Sequence, residues 1–383
     1  MRMLPVLVSL SLVAVACHTA PKELPPPAVG ATVRVPFVVD LGGWVSQAEL
    51  VHPVADGPHG PGPWPVVLMV CGNGPHDMDV TLRGPDGEVK LFAQIADVLA
   101  ARGCAVVRYH KRFVKAPGRF GARFWKEQST LVFTADAGKV LDAALALAAC
   151  DATRVFVYGW SEGTAVGAQL AIERGDIDGL VLQGAVGLSW RATVRSWIEE
   201  VGVPYAAGED GSRITSADLV AAARGKGGMV AKLGASFCTE PARFGQPVRV
   251  SSLLDQDGDG ELEVVREVAP KLEAMVDFAF SPQGNTYIYA EGRTVPTVTE
   301  NAAKLTMPVL ILQGEHDAST PLRGARVLAA ALRAAGNADI TLQEIAGAGH
   351  TLGPAASLLD DCGRAPSEAE LVPIAAWLAA HGR

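Results

Sequence analysis

The segment Gly159-Trp160-Ser161-Glu162-Gly163 sets a serine directly after the apolar run Val155-Phe156-Val157-Tyr158 and just before a helical stretch from about Thr164 to Arg174. A serine on a tight strand-to-helix turn adopts a strained backbone, and bulky neighbours would collide there, which accounts for Gly159 and Gly163. The hydroxyl then projects above the sheet, while the helix N-terminus offers N–H groups to developing negative charge. At neutral pH a serine hydroxyl is a weak nucleophile; it needs a base, and the base needs an orienting acid. Gly314-Glu315-His316-Asp317 and Gly347-Ala348-Gly349-His350 each follow a later apolar run. They supply two candidate acids, Glu315 and Asp317, and a candidate base, His350, on a flexible glycine loop. Such a constellation suits attack on a carbonyl followed by transfer of the acyl group to water.

That attack generates an oxyanion, which requires two N–H donors. The backbone of Glu162, next after Ser161, is one. The turn Gly72-Asn73-Gly74-Pro75 lets the chain approach a substrate closely and offers the Asn73 N–H as the other.

The elements that must hold these groups are legible as an alternation. Pro65 to Cys71 is a short apolar run bounded by Pro and Gly, as expected of a strand buried on both faces. Leu91 to Arg102 has helical spacing, Gly103 supplies the stop, and Cys104 to Tyr109 is a second strand. A helix from about Thr130 to Ala149 precedes the strand Val155 to Tyr158, and the strand Leu180 to Gln183 follows the next helix. This rhythm predicts a parallel, right-handed α/β sheet. It stops after Gly187 and resumes with the strand Met307 to Gln313, the helix Arg323 to Ala335, the strand Asp339 to Ile345 and the helix Ser367 to Ala380. The core therefore comprises residues 31–188 and 306–383, interrupted by a mainly helical insertion, 189–305. The insertion carries Trp190, Trp197, Tyr205, Phe237, Phe244, Phe278 and Phe280. Most of these are expected to build its own core, and the remainder to line an acyl or aromatic pocket.

The chain order Ser161, Asp317, His350 resembles that of α/β-hydrolases. Cys71-Gly72-Asn73-Gly74-Pro75-His76-Asp77-Met78-Asp79 resembles the HGSGPxDRD-type loop of bacterial serine esterases in the dienelactone-hydrolase and serine-aminopeptidase-like group. Leu91-Phe92 through Arg102-Gly103 and Val107-Arg108-Tyr109-His110-Lys111-Arg112 are similar to their LFxxLAxxLAxRGxAVLRYDKRG block. The likeness covers about residues 65 to 187 and 300 to 360. Within it Cys71 stands in place of a His or Gly-type residue, Met78 of Arg, His110 of Asp and Phe113 of Gly. The resemblance implies the α/β-hydrolase fold, with a mostly parallel sheet flanked by helices and the insertion as a cap over the nucleophile. It implies a cofactor-independent serine hydrolase acting on a small carboxylic ester, with amide or peptide cleavage as the alternative. It places Asp317 in the acid's slot, leaving Glu315 as a structural or helix-dipole residue and His316 as a solvated loop histidine. His52, His59, His76 and His110 lie where this order requires no base. The reading from another class is a surface-tethered binding protein that keeps the fold without turnover.

Composition agrees with a folded catalytic chain. Of 383 residues 49% are hydrophobic and 19% charged, which excludes wholesale disorder, and 41 Gly with 25 Pro imply many turns rather than a coiled coil. A net charge of −8 provides no global positive field, so nucleic acid is not an expected partner. Arg2 precedes an apolar run, Leu4 to Ala16, too short to span a bilayer and of the right length for a signal peptide, residues 1–16. Ala14-Val15-Ala16-Cys17 resembles a bacterial lipobox, with Ala14 where Leu is favoured. It implies lipidation at Cys17 and anchorage in the cell envelope, with ordinary secretory cleavage as the alternative. Membrane contact is expected only through that anchor. Pro21 and Pro25-Pro26-Pro27 then read as an extended tether, 17–30.

Five further cysteines, Cys71, Cys104, Cys150, Cys238 and Cys362, form no metal-binding cluster. Cys71 and Cys104 read as buried small hydrophobes, and export permits one disulfide, with Cys238 and Cys362 as the candidate pair. Finally, Asp255-Gln256-Asp257-Gly258-Asp259-Gly260-Glu261-Leu262 matches the first half of an EF-hand loop, with Asp255, Asp257 and Asp259 at positions 1, 3 and 5. The closing bidentate Glu is missing: position 12 is Arg266, flanked by Glu263 and Glu267. The segment reads as an acidic, solvated turn or a low-affinity calcium site.

Overall fold

The computed structural model describes residues 26–208, 210–240 and 247–382. The leader, Cys17, most of the tether, and Phe244 lie outside the described residues.

Eight strands form one sheet: β1 (Thr32–Asp40), β2 (Val45–Pro53), β3 (Trp64–Val70), β4 (Ala105–Tyr109), β5 (Cys150–Trp160), β6 (Gly179–Gln183), β7 (Val309–Gly314) and β8 (Ile340–Ile345). Their spatial order is β1-β2-β4-β3-β5-β6-β7-β8. The first two pair antiparallel with each other, β2 is antiparallel to β4, and every pairing from β4 to β8 is parallel. The antiparallel edge was not legible in the sequence, because β1 and β2 are partly exposed and lack the continuous apolar run of the central strands.

Alternation along β3 shows why the sheet is covered on both sides. Val66, Leu68 and Val70 point into a core closed by the helices α2 (Thr130–Leu145), α3 (Glu162–Arg174) and α4 (Leu322–Ala334). Val67 and Met69 face the opposite core, closed by α1 (Leu91–Ala100) and α5 (Glu368–His381). On α1 the buried residues Leu91, Phe92, Ile95, Ala96, Leu99 and Ala100 recur at one-face helical spacing. The α5 N-terminus is closed by a capping box between Ser367 and Glu370.

The insertion departs after β6 and returns before β7. It holds the helices Trp190–Ser196, Val203–Ala207, Ser216–Arg224, Met229–Ser236 and Leu272–Ala279, and a two-stranded ribbon pairing Arg213–Thr215 with Glu261–Glu263. Its own core includes Val194, Ile198, Ile214, Leu219, Leu262 and Val276. Among the described residues, no helix is long and apolar enough to cross a membrane. All five described cysteines are free. This corrects the expected Cys238–Cys362 disulfide: Cys238 is fully buried in the insertion's core, whereas Cys362 lies on a loop beside the site described next.

Candidate active site

Ser161 occupies the turn between β5 and α3 at φ +58° and ψ −128°, a region that non-glycine residues rarely adopt. The surrounding glycines explain how the turn fits. A Cβ on Gly159 would approach Gly163 O to 2.5 Å, and one on Gly163 would approach Val70 O to 2.1 Å. Gly72, in the turn after β3, is equally constrained, since its Cβ would meet Ser161 Cβ at 2.8 Å. The Ser161 N–H donates to Gln183 O at the end of β6 (2.9 Å), and Thr164 Oγ1 donates to Ser161 O (2.6 Å). The strained residue is thus held from both neighbouring elements.

Asp317 and His350 follow β7 and β8. His350 Nδ1 lies 2.8 Å from Asp317 Oδ2. That carboxylate is fully buried and accepts from the N–H groups of Ser319 and Thr320, the Thr320 hydroxyl and Gln313 Nε2. With the carboxylate acting as acceptor throughout, His350 Nδ1 is the donor and Nε2 keeps its lone pair. The His350 carbonyl accepts from Trp160 Nε1 (3.1 Å) and Gln183 Nε2 (3.2 Å), which fixes the ring's backbone relative to the serine turn. Burial disfavours the charged imidazole, but the neighbouring Asp317, aided by Asp361, outweighs it, so the His350 pKa is raised above its ordinary value. Glu315 accepts from Gly347 N–H and His316 bonds Ala355 O, so both secure the two loops to each other's neighbourhood and neither contacts His350.

Asn73 and Glu162 border the same cavity as Ser161 and His350, about 780 Å³ in volume. Glu162 is the first residue of α3, where an N–H has no partner within the helix. Its side chain is buried and pairs with Lys111, whose Nζ lies 3.1 Å from Glu162 Oε1 and 2.5 Å from Gly72 O. The Asn73 side chain donates to the Tyr289 hydroxyl at 2.5 Å, and the Asn73 carbonyl accepts from His76 Nε2 at 2.6 Å. Burial and the nearby Lys111 lower His76 to about 4, so it acts there as a neutral donor. Asp77 bonds the N–H and hydroxyl of Thr81, Asp79 pairs with Arg108, and His110 Nδ1 accepts the Met78 N–H. These residues build the loop rather than the reacting centre.

The insertion supplies one wall of the cavity, including Trp190, Trp197, Tyr287 and Tyr289. Tyr205, Phe237 and Phe280 pack against the insertion's core instead, and Phe278 is half exposed. In the acidic segment, Asp255 and Asp257 group with Glu267, their carboxylate oxygens within 4.8 Å of one another. Glu267 is brought there by a π-helical turn, Val264–Val268, that sequence counting did not anticipate. Asp259 stands outside that group and accepts the Glu261 N–H.

Lys111, Tyr289, Gln313, Thr320 and Asp361 were not singled out from sequence. Lys111 lies inside the family-like block, whereas Tyr289, at the end of a short 3-10 turn, and Asp361, on a loop, belong to no motif.

A family profile described as TAP-like protein matches residues 287–358, which contain Asp317 and His350. Esterase EstD of Thermotoga maritima is 37% identical over 126 residues, 33% of this chain; the chain spans 28% of the length of that relative. Among solved structures, the fold is similar to that of proline iminopeptidase from Mycobacterium smegmatis, with a TM-score of 0.51, 17% identity and coverage of 91% of this chain and 99% of that one. It is also similar to Est1E from Butyrivibrio proteoclasticus bound to ferulic acid, with a TM-score of 0.50, 13% identity and coverage of 90% and 98%. At such identities the likeness is one of fold, and it bears out the expected architecture: the chain has the α/β-hydrolase fold.

Proposed function

We propose that this α/β-hydrolase-fold protein is a serine hydrolase that cleaves carboxylic esters through an acyl-enzyme. The observation that carries this reading is a serine on a strained turn sharing one cavity with a histidine whose Nδ1–H is held by a fully buried carboxylate. Ser161 Oγ attacks the ester carbonyl as its proton passes to His350 Nε2. The negative oxygen of the tetrahedral adduct is stabilised by the Asn73 and Glu162 N–H groups. His350 then protonates the departing alkoxide, leaving Ser161 acylated. A water deprotonated by His350 attacks the acyl carbon and releases the carboxylic acid, and the proton returns to Ser161. Asp317 keeps the proton on Nδ1 and stabilises the imidazolium that forms in both steps.

The esterase name of the Thermotoga relative supports ester over amide chemistry. So does the wall of the cavity. A peptidase that requires a free α-amino group needs an uncommitted carboxylate to receive it. Here the carboxylates on the wall, among the described residues, are Glu162, whose Oε1 pairs with Lys111 and whose unpartnered Oε2 is buried away from the cavity's open space, and Asp361, occupied by two backbone N–H groups, while Arg83 and Arg293 are basic. The aromatic wall from the insertion favours an apolar acyl or alcohol group, with the insertion acting as the cap. The lipobox-like Cys17 and the proline-rich tether support an exported enzyme held at the cell envelope.

The test is a panel of p-nitrophenyl esters of rising chain length and aminoacyl anilides, run on wild type and Ser161→Ala. Ser161-dependent ester turnover is expected. Turnover of anilides alone would transfer the reading to a peptidase, and no turnover of either would leave a binding protein.

A further inference from the structure

Asp361 lies outside the Ser161, His350 and Asp317 set yet touches the main chain beside both members of the acid–base pair. Its Oδ1 accepts the His350 N–H at 3.0 Å, and its Oδ2 accepts the N–H of Ala318, the residue after Asp317, at 2.9 Å. Space is kept for it: a Cβ on Gly349 would come within 2.2 Å of Asp361 Oδ1. The Asp361 main chain is fitted against the insertion as closely, since a Cβ on Gly228 would meet Asp361 O at 1.8 Å. Only a carboxylate can serve both donors, because an amide has a single accepting oxygen and would turn an N–H group toward the other.

We propose that Asp361 is a positioning residue that locks the backbone of His350 to the loop bearing Asp317 and supplies a second buried negative charge facing the imidazole. This rests on the reading of Ser161, His350 and Asp317 as a catalytic triad. The groups facing Asp361 are Asp317, His350 and its chain neighbour Cys362; those facing His350 are Asp317, Asp361 and, from the loop after β3, His76. Burial and the Asp317 charge push Asp361 up to about 6, so its hold on both N–H groups weakens as pH falls through that value.

The test is the pH dependence of fluorophosphonate labelling at Ser161, with kcat and KM for p-nitrophenyl butyrate, in wild type, Asp361→Asn, Gly349→Ala and the double variant. Loss of the brace misplaces the base, so Asp361→Asn should lower kcat on the order of 100-fold with KM little changed. Removing the negative charge lowers the His350 pKa, so the acid limb of labelling should move to lower pH by roughly half a unit or more. Gly349→Ala displaces the carboxylate without removing it and should reproduce the kcat loss with a smaller limb shift. The double variant should be no worse than Asp361→Asn, because both act on one contact. Wild-type kcat and an unmoved acid limb in Asp361→Asn would overturn the proposal while Ser161 labelling in wild type leaves the triad reading intact. Should Asp361→Asn fail to fold by near-ultraviolet circular dichroism, wild-type kcat in Gly349→Ala would overturn it. Absence of Ser161-dependent labelling in wild type would overturn the triad reading and this inference with it.

Discussion

Lys111 and Glu162 form a buried ion pair, Nζ to Oε1 3.1 Å, beside the turn and the helix start that carry the proposed oxyanion donors. The same ammonium donates to Gly72 O, next to Asn73, so one charged side chain joins the turn after β3 to the first residue of α3. The ring of Phe133 lies beneath it, 4.1 Å from Nζ to the centroid. Oxyanion stabilisation depends on donors held in place before charge develops, and in the proposed mechanism this pair sets the spacing between the Asn73 and Glu162 N–H groups.

Lys111→Met leaves the Glu162 carboxylate buried without its cation, a change that costs about 3–5 kcal/mol when a buried pair is broken. Urea denaturation should register that loss, accompanied by a fall in kcat. Lys111→Met combined with Glu162→Gln removes both charges and should recover part of the stability; a double variant no more stable than Lys111→Met would refute the coupling.

Gly163→Ala and Gly167→Ala should differ in severity. At Gly163 the new methyl meets the Val70 carbonyl, a backbone atom that cannot move aside, and at Gly167 it meets Val157 Cγ1 at 2.8 Å. Overpacking against a side chain typically costs about 1–3 kcal/mol. A backbone clash at the junction of β3 and α3 should exceed about 4 kcal/mol, which is exceptional for a single substitution. Comparison of urea midpoints and soluble yield decides the order.

Tyr289→Phe removes the hydroxyl that receives the Asn73 side chain while keeping the ring that stacks on Trp190, 4.0 Å between centroids and 7° between planes. One neutral hydrogen bond is worth about 0.5–1.5 kcal/mol, so kcat should fall by roughly 2- to 12-fold with the melting temperature little altered. An unchanged kcat would separate the insertion from the oxyanion turn.

The raised His350 pKa has a definite sign in the pH profile. The base works only when neutral, and Asp317 and Asp361 favour its charged form against the effect of burial. The profile of kcat/KM should therefore fall, as pH decreases, through a midpoint above the ordinary 6.5. A midpoint below that value would show burial dominating instead. Asp317→Asn should lower kcat on the order of 10⁴-fold, since an amide no longer enforces the Nδ1 proton.

Much of the sheet could be read from the sequence because its central strands are buried on both faces and announce themselves as unbroken apolar runs, as at Pro65 to Cys71. The serine turn was equally legible, since Gly159 and Gly163 are demanded by close backbone approach. What escaped was of three kinds. The antiparallel strands β1 and β2 mix exposed and buried positions and lack the unbroken apolar run of the central strands. The supporting groups Lys111, Tyr289 and Asp361 act through contacts 11 to 216 residues apart, and Gln313 and Thr320, although only 4 and 3 residues from Asp317, belong to no motif. Glu267 shows a third cause: one π-helical turn shifts a carboxylate by a residue, and counting positions along the loop cannot foresee it.

The proposed acyl-enzyme depends on Ser161 acting as the nucleophile. Intact-mass and peptide-mapping analysis after exposure to a fluorophosphonate at neutral pH tests it without requiring the natural substrate. One adduct per chain is expected, mapped to Ser161, absent from Ser161→Ala and strongly slowed in His350→Ala. A wild-type chain that remains unmodified, or an adduct that persists in Ser161→Ala, would contradict it.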